Sequence, residues 1–197
     1  MHDPDTAEIW QTAFGKDFGG MAQGDKKMGQ KGTNLIFVMT HDKIKLIPCT
    51  QAIMYARVDV VDFRPQKQKA DPHRIRITTG GNLINYPGEL SMRTANLTTS
   101  KLMWNSLLSS EGAKYMCLDI KNFYLLAPLD QFYEYMKMSL TLFPEWIIEQ
   151  YKLQMHAHNG FVYLEMRRAV WGLPQAGILT NLPHGYTVAT YMVHFGC

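Results

Sequence analysis

The chain has 197 residues, of which 46% are hydrophobic and 19% charged, and its formal net charge at neutral pH is +3. This excludes a disordered chain and allows one ordinary domain or two small ones with a real core, while the slight basic excess is a mild pointer to a polyanionic partner. No apolar run reaches the roughly 18 residues of a membrane span, the opening MHDPDTAEIW lacks the apolar core of a secretory signal, and the cysteines at 49, 117 and 197 are too scattered for a disulfide framework. The expectation is an intracellular protein, in cytoplasm or nucleus, that is neither secreted nor bound in a membrane.

In chain order, residues 12 to 33 hold six glycines and four lysines without apolar periodicity, so residues 1 to 33 read as a flexible segment. Gly24 and Gly29 have the separation of a phosphate-binding loop, but Gln30 and Lys31 follow where that motif needs Lys and then Ser or Thr. From Asn34 short β-rich runs begin. LIFVM (35 to 39) and KIKLI (43 to 47) read as strands, and RVDVVDFRP (57 to 65) with HRIRITTGG (73 to 81) reads as an antiparallel hairpin. Residues 57 to 76 carry six Lys and Arg against three Asp. That charge at a hairpin suits either phosphate contact or a solvated surface.

Thr98 or Thr99 can cap a helix running through KLMWNSLLSS, where Met103 with Leu107, or Trp104 with Leu108, forms an apolar stripe fit to pack beneath a sheet. Tyr115 to Leu118 form a short buried strand that ends at Asp119. Desolvating that carboxylate demands a cation, backbone donors or a metal, although a strand-end Asp also caps turns. EYMKMSLTL (134 to 142) reads as a strand, and Pro144 opens a helix, PEWIIEQYKL, with Glu145 near its positive end. His156 and His158 lack further ligands nearby for a metal site. A turn at Asn159-Gly160 leads into the strand of NGFVYLEMRR, and a helix begins near Gln175.

Two stretches together resemble the reverse transcriptases of retroelements. LDIKNFYL resembles their first catalytic motif, and WGLPQAG their Leu-Pro-Gln-Gly motif or the Tyr-Gly-Leu-Lys-Gln-Ala motif of copia-type elements, with Asp119 and Gln175 56 residues apart. The likeness covers roughly residues 35 to 182. It implies an α/β (α+β) fold of fingers and partial palm, with an antiparallel sheet and packed helices. Residues 34 to 110 would be the fingers-like region and 111 to 182 the palm-like region, with 183 to 197 a non-matching tail.

By the same resemblance, Asp119 would be catalytic and would bridge two Mg2+ ions about 4 Å apart, with the backbone carbonyl of Ile120 assisting. Tyr124 would lie under the sugar of the incoming deoxynucleotide triphosphate and exclude a 2' hydroxyl. Gln175 would touch that nucleotide, and Lys67 or Lys69 with Arg74 or Arg76 would grip its phosphates. The partners implied are deoxynucleotide triphosphates and an RNA or DNA primer-template.

The departures are specific. No adjacent Asp pair occurs in the 197 residues, although the family places one downstream of the glutamine motif; Phe123 stands where a small residue is common, and Ala176 replaces the retroviral glycine. The expectation is a fragment of an RNA-directed DNA polymerase from a retrotransposon polyprotein, inactive alone. A non-catalytic nucleic-acid-binding module is the alternative. A magnesium phosphotransferase built on Asp119 has neither a phosphate loop nor a second acidic cluster behind it.

Overall fold

Trp10, Phe14 and Phe18 recur every four residues, a helical spacing. In the computed structural model they belong to an 18-residue helix, α1 (Pro4–Met21). The structure describes residues 4–61, 73–84, 86, 88, 97–114, 125, 127–129 and 133–181. Phe14, Phe18 and Met21 are buried. The ring of Phe18 meets Phe143 edge-on at 5.0 Å and Tyr151 at 5.4 Å. After α1 comes a small antiparallel hairpin, β1 (Gly24–Asp25) with β2 (Gln30–Lys31).

The reading of residues 12 to 33 as a flexible segment is thus corrected. The glycines serve close approach: a Cβ on Gly19 would lie 2.9 Å from the Cβ of Asp25 and 3.1 Å from its backbone nitrogen. Glycine costs a helix about 1 kcal/mol relative to alanine, and here its bare backbone lets β1 rest on α1.

The remaining strands are β3 (Ile36–Val38), β4 (Ile53–Val61), β5 (Arg74–Thr79), β6 (Glu134–Ser139) and β7 (Phe161–Met166). They form one five-stranded sheet in the order β3-β7-β6-β4-β5. The fold is mixed α/β, but the sheet is mixed and not purely antiparallel, because β4 and β6 run parallel. A parallel pair needs a long crossover, and here the whole stretch from β5 to β6 supplies it.

β4 divides its length between two neighbours. Ile53, Met54 and Tyr55 pair with Tyr135, Met136 and Lys137 of β6, whereas Ala56 to Val61 pair with Thr79 to Arg74 of β5. The expected hairpin is present, and beyond Tyr55 it extends as a two-stranded arm past the body of the sheet. On the arm's buried side lie Ile75 and Ile77, with Val58 opposite Ile77, and α1 packs along β5. Arg57, Asp59, Arg74, Arg76 and Thr78 alternate onto the other side.

Both outer edges of the sheet are occupied, as unpaired strand edges must be to avoid adding foreign strands. Asp17 Oδ2 accepts the Ile77 N–H at 2.8 Å, the Trp171 carbonyl accepts the Thr79 N–H at 2.8 Å, and the side chain of Gln23 donates to the Ile36 carbonyl at 2.8 Å.

Two further expectations are overturned. KIKLI is not a strand: His41–Lys45 form a short helix, α2, with no buried residue. Its alternation had no sheet edge to join. The helix through KLMWNSLLS exists as α3 (Leu97–Ser109), but none of its side chains is buried, and Leu102, Trp104 and Leu108 are exposed. It does not pack beneath the sheet. Pro144 does cap a helix, α4 (Glu145–Tyr151), and Lys152 in the left-handed region separates it from α5 (Leu153–His156). α6 (Ala176–Asn181) follows the WGLPQAG stretch.

Candidate functional site

Of the residues singled out from the sequence, Arg74, Arg76 and Gln175 are described. Asp119, Ile120, Tyr124, Lys67 and Lys69 lie outside the described residues, as do Phe123, the tip of the basic hairpin and the tail 183 to 197.

Arg74 and Arg76 stand on β5, half-buried, two residues apart and therefore on one side of the strand. The Arg76 guanidinium lies 5.0 Å from the centre of the Trp171 ring. A cation–π contact of this kind holds the guanidinium near the ring, and a guanidinium carries a fork of N–H donors suited to an oxyanion. Across the strands Arg76 pairs with Asp59, and Asp59 accepts a hydrogen bond from Thr78 Oγ1 at 3.3 Å.

Trp171 reaches β5 because the chain after β7 crosses the end of the sheet. Gly172, at φ +95°, makes the turn, and a Cβ there would fall 2.2 Å from the Thr79 carbonyl oxygen. Only glycine tolerates both that φ and that approach. WGLPQAG is thereby fastened to the strand that carries Arg74 and Arg76, which lies some ninety residues earlier in the chain.

Gln175 is 2% exposed. Its Nε2 donates to Glu134 Oε1 at 3.0 Å, and its Oε1 is buried without a hydrogen-bond partner among the described residues. Leaving such an acceptor unpaired costs about 1–3 kcal/mol. Burial pushes the Glu134 carboxyl above its ordinary range, with hydrogen bonds from Gln175 and Gln51 pulling the other way. The Gln51 amide also donates to the Tyr133 carbonyl. Gln51, Glu134, Trp171 and Gln175 thus gather at one end of the sheet.

Asp17 is a second carboxyl that sequence reasoning passed over, since it stood in a glycine-rich stretch. Burial raises its pKa, opposed by its bond from the Ile77 N–H and by the fields of Arg74 and Arg76. Glu134 was visible only as one residue of a strand, and nothing local in the sequence announced its bond to Gln175.

Further aromatic and basic side chains line the side of the sheet that Arg76 faces. Lys137 lies over Phe161 at 5.3 Å, and Arg167 lies over Phe37 at 4.0 Å while bonding Glu165 at 2.7 Å. An open cleft of about 520 Å³ lies elsewhere, between the β1–β2 hairpin and α4–α5, lined by Gln23, Asp25, Gln150 and Tyr151 among others. Its polar groups bond one another: Tyr151 and Gln150 both donate to the Gly24 carbonyl, and Asp25 accepts from Trp146 Nε1 at 3.1 Å.

His41 and His158 meet edge-on at 5.8 Å. No group of three or more His, Cys, Asp or Glu side chains among the described residues is placed to hold a metal ion, and no described helix is long and apolar enough to cross a membrane. Compared with protein-family models, with curated proteins and with solved structures, the chain has no match.

Proposed function

We propose that the chain is part of an RNA-directed DNA polymerase of the retrotransposon, copia-type kind, acting inside the cell on a primer-template with deoxynucleotide triphosphates. The β4–β5 arm and the sheet would be its fingers and partial palm. The observation that carries the reading is the backbone bond from Thr79 to the Trp171 carbonyl. It joins the basic strand to the WGLPQAG motif, two segments that the resemblance assigns to one nucleotide site. Arg76, held over the Trp171 ring, then offers its guanidinium fork to phosphate.

In this reading Asp119, with the Ile120 carbonyl, would take Mg2+, which activates the primer hydroxyl and neutralises the triphosphate when bound. Arg74 or Arg76, with Lys67 or Lys69, grips the triphosphate, Tyr124 packs against the sugar, and Gln175 contacts the nucleotide. The 197 residues contain no adjacent Asp pair, so one carboxylate faces two dications and the chain alone binds without catalysing.

Titration with a primer-template duplex tests the binding. Four phosphate contacts should weaken affinity about a hundredfold between roughly 50 and 200 mM salt, and alanine at Lys67, Lys69, Arg74 and Arg76 should remove most of that dependence. Affinity indifferent to salt, or unchanged in the fourfold variant, sinks the reading. Primer extension should be undetectable with magnesium or manganese. Fusing a related palm segment carrying the Asp pair after Asn181 should restore it, and Asp119→Asn should abolish the rescue.

A further inference from the structure

The half-satisfied amide of Gln175 has a chemistry of its own. Glu134 opens β6 in phase with the buried Met136 and Met138, so its carboxyl lies on the core side at the strand's end. There it receives Gln175 Nε2 at 3.0 Å. Opposite it on β7 is Met166, flanked by Glu165 and Arg167, which bond each other at 2.7 Å. Tyr135 follows it on β6, Tyr133 precedes it, and the neutral Gln51 bonds it from the turn before β4. Among the described residues no cation is paired with Glu134.

An amide has one end that donates and one that accepts, whereas a carboxylate only accepts. Ionised Glu134 therefore admits the nitrogen of Gln175 and turns the carbonyl away, which is the arrangement found, with Oε1 unpartnered among the described residues. Protonated Glu134 gains an O–H donor. It then admits the carbonyl, and the amide nitrogen takes the buried position that the carbonyl held. Either state satisfies one end of the amide and leaves the other end to something else.

We propose that Glu134 is the positioning residue of Gln175: its charge decides whether the buried amide turns a hydrogen-bond acceptor or a donor away from β6, within the 171 to 177 loop. This deepens the nucleotide-site reading and rests on it for the identity of the ligand, a deoxynucleotide triphosphate. The orientation of the amide does not depend on that reading. Burial, which favours the neutral acid, moves the exchange upward from the range of an exposed glutamate.

The test follows the Gln175 side-chain amide of the labelled 197-residue chain by NMR through pH, with Gln175→Ala to assign it. The amide nitrogen should move through one transition whose midpoint coincides with that of the Glu134 carboxyl carbon. This arm needs no variant at 134. In Glu134→Gln, which keeps the size of the side chain, the transition should vanish. The probe of function is a deoxynucleoside triphosphate with magnesium. Its affinity for the native chain should change about tenfold across the same transition, the worth of one hydrogen bond, and should be flat in Glu134→Gln.

An amide that ignores pH, or that titrates apart from Glu134, overturns the proposal. So does nucleotide binding with the same pH profile in both chains. A titrating amide in a chain with no nucleotide affinity at any pH overturns the polymerase reading and upholds the positioning.

Discussion

Asp17 shows how one side chain can join two parts of the chain that sequence leaves unrelated. Its carboxyl closes the edge of β5 from α1, through the Ile77 N–H. A carboxyl whose pKa is raised on folding contributes stability that is full below its ordinary value of 3.8 and is lost as pH rises through the raised value. Asp17→Asn keeps an acceptor and removes the titration. Urea denaturation between about pH 3 and 7 should therefore show the native chain losing stability relative to Asp17→Asn as pH rises. Asp17→Ala leaves the Ile77 N–H without its partner and should cost about 1–3 kcal/mol throughout. Parallel pH profiles for the native chain and Asp17→Asn would refute the argument. Little of this was legible in advance. A carboxyl between a lysine and a phenylalanine in GKDFGG carries no sign of a strand sixty residues away, and Gln175 was visible as a motif residue while its partner Glu134 was not.

At the scale of elements, legibility followed the availability of a partner. LIFVM, the hairpin strands, EYMKMS and FVYLEM were readable because each finds a neighbour in the sheet that rewards its pattern. KIKLI has the same alternation and no neighbour, so it coils into α2. α1 was lost behind its glycines, although Trp10, Phe14 and Phe18 at intervals of four were the available signal. Gly19→Ala should gain helix propensity of about 1 kcal/mol. Its new methyl would lie inside contact distance of Asp25, so the expected net effect on thermal unfolding is a loss of stability. An increase would show that β1 yields easily. Gly172→Ala should cost more, about 1–3 kcal/mol for backbone strain alone, because the Thr79 carbonyl stands where its methyl must go. Loss of the Arg76–Trp171 stacking should accompany it, read as a change in tryptophan fluorescence.

The molecule as a whole is held by a core to which both ends of the described chain contribute. Phe14 and Phe18 come from α1, Phe143 and Ile147 from around α4, and Val162 and Leu164 from β7. Phe18→Ala should cost about 3–5 kcal/mol, and removing residues 1 to 33 should abolish the cooperative urea transition; a sharp, native-like transition in the shortened chain would mean that α1 is an accessory. The sheet order has a further consequence, for synthesis on the ribosome. β4 and β5 are consecutive strands and can zip together as soon as they emerge, and local pairing of this kind takes microseconds. β3 emerges before them, yet among the described residues its strand partner is β7, the last of the described strands, which also pairs with β6. Until Phe161–Met166 has left the tunnel, β3 and β6 each expose an open edge, the kind of surface on which nascent chains aggregate. Ribosome-bound chains stalled before β7 should therefore recruit chaperones, and chains stalled far enough beyond it to release the whole strand should not.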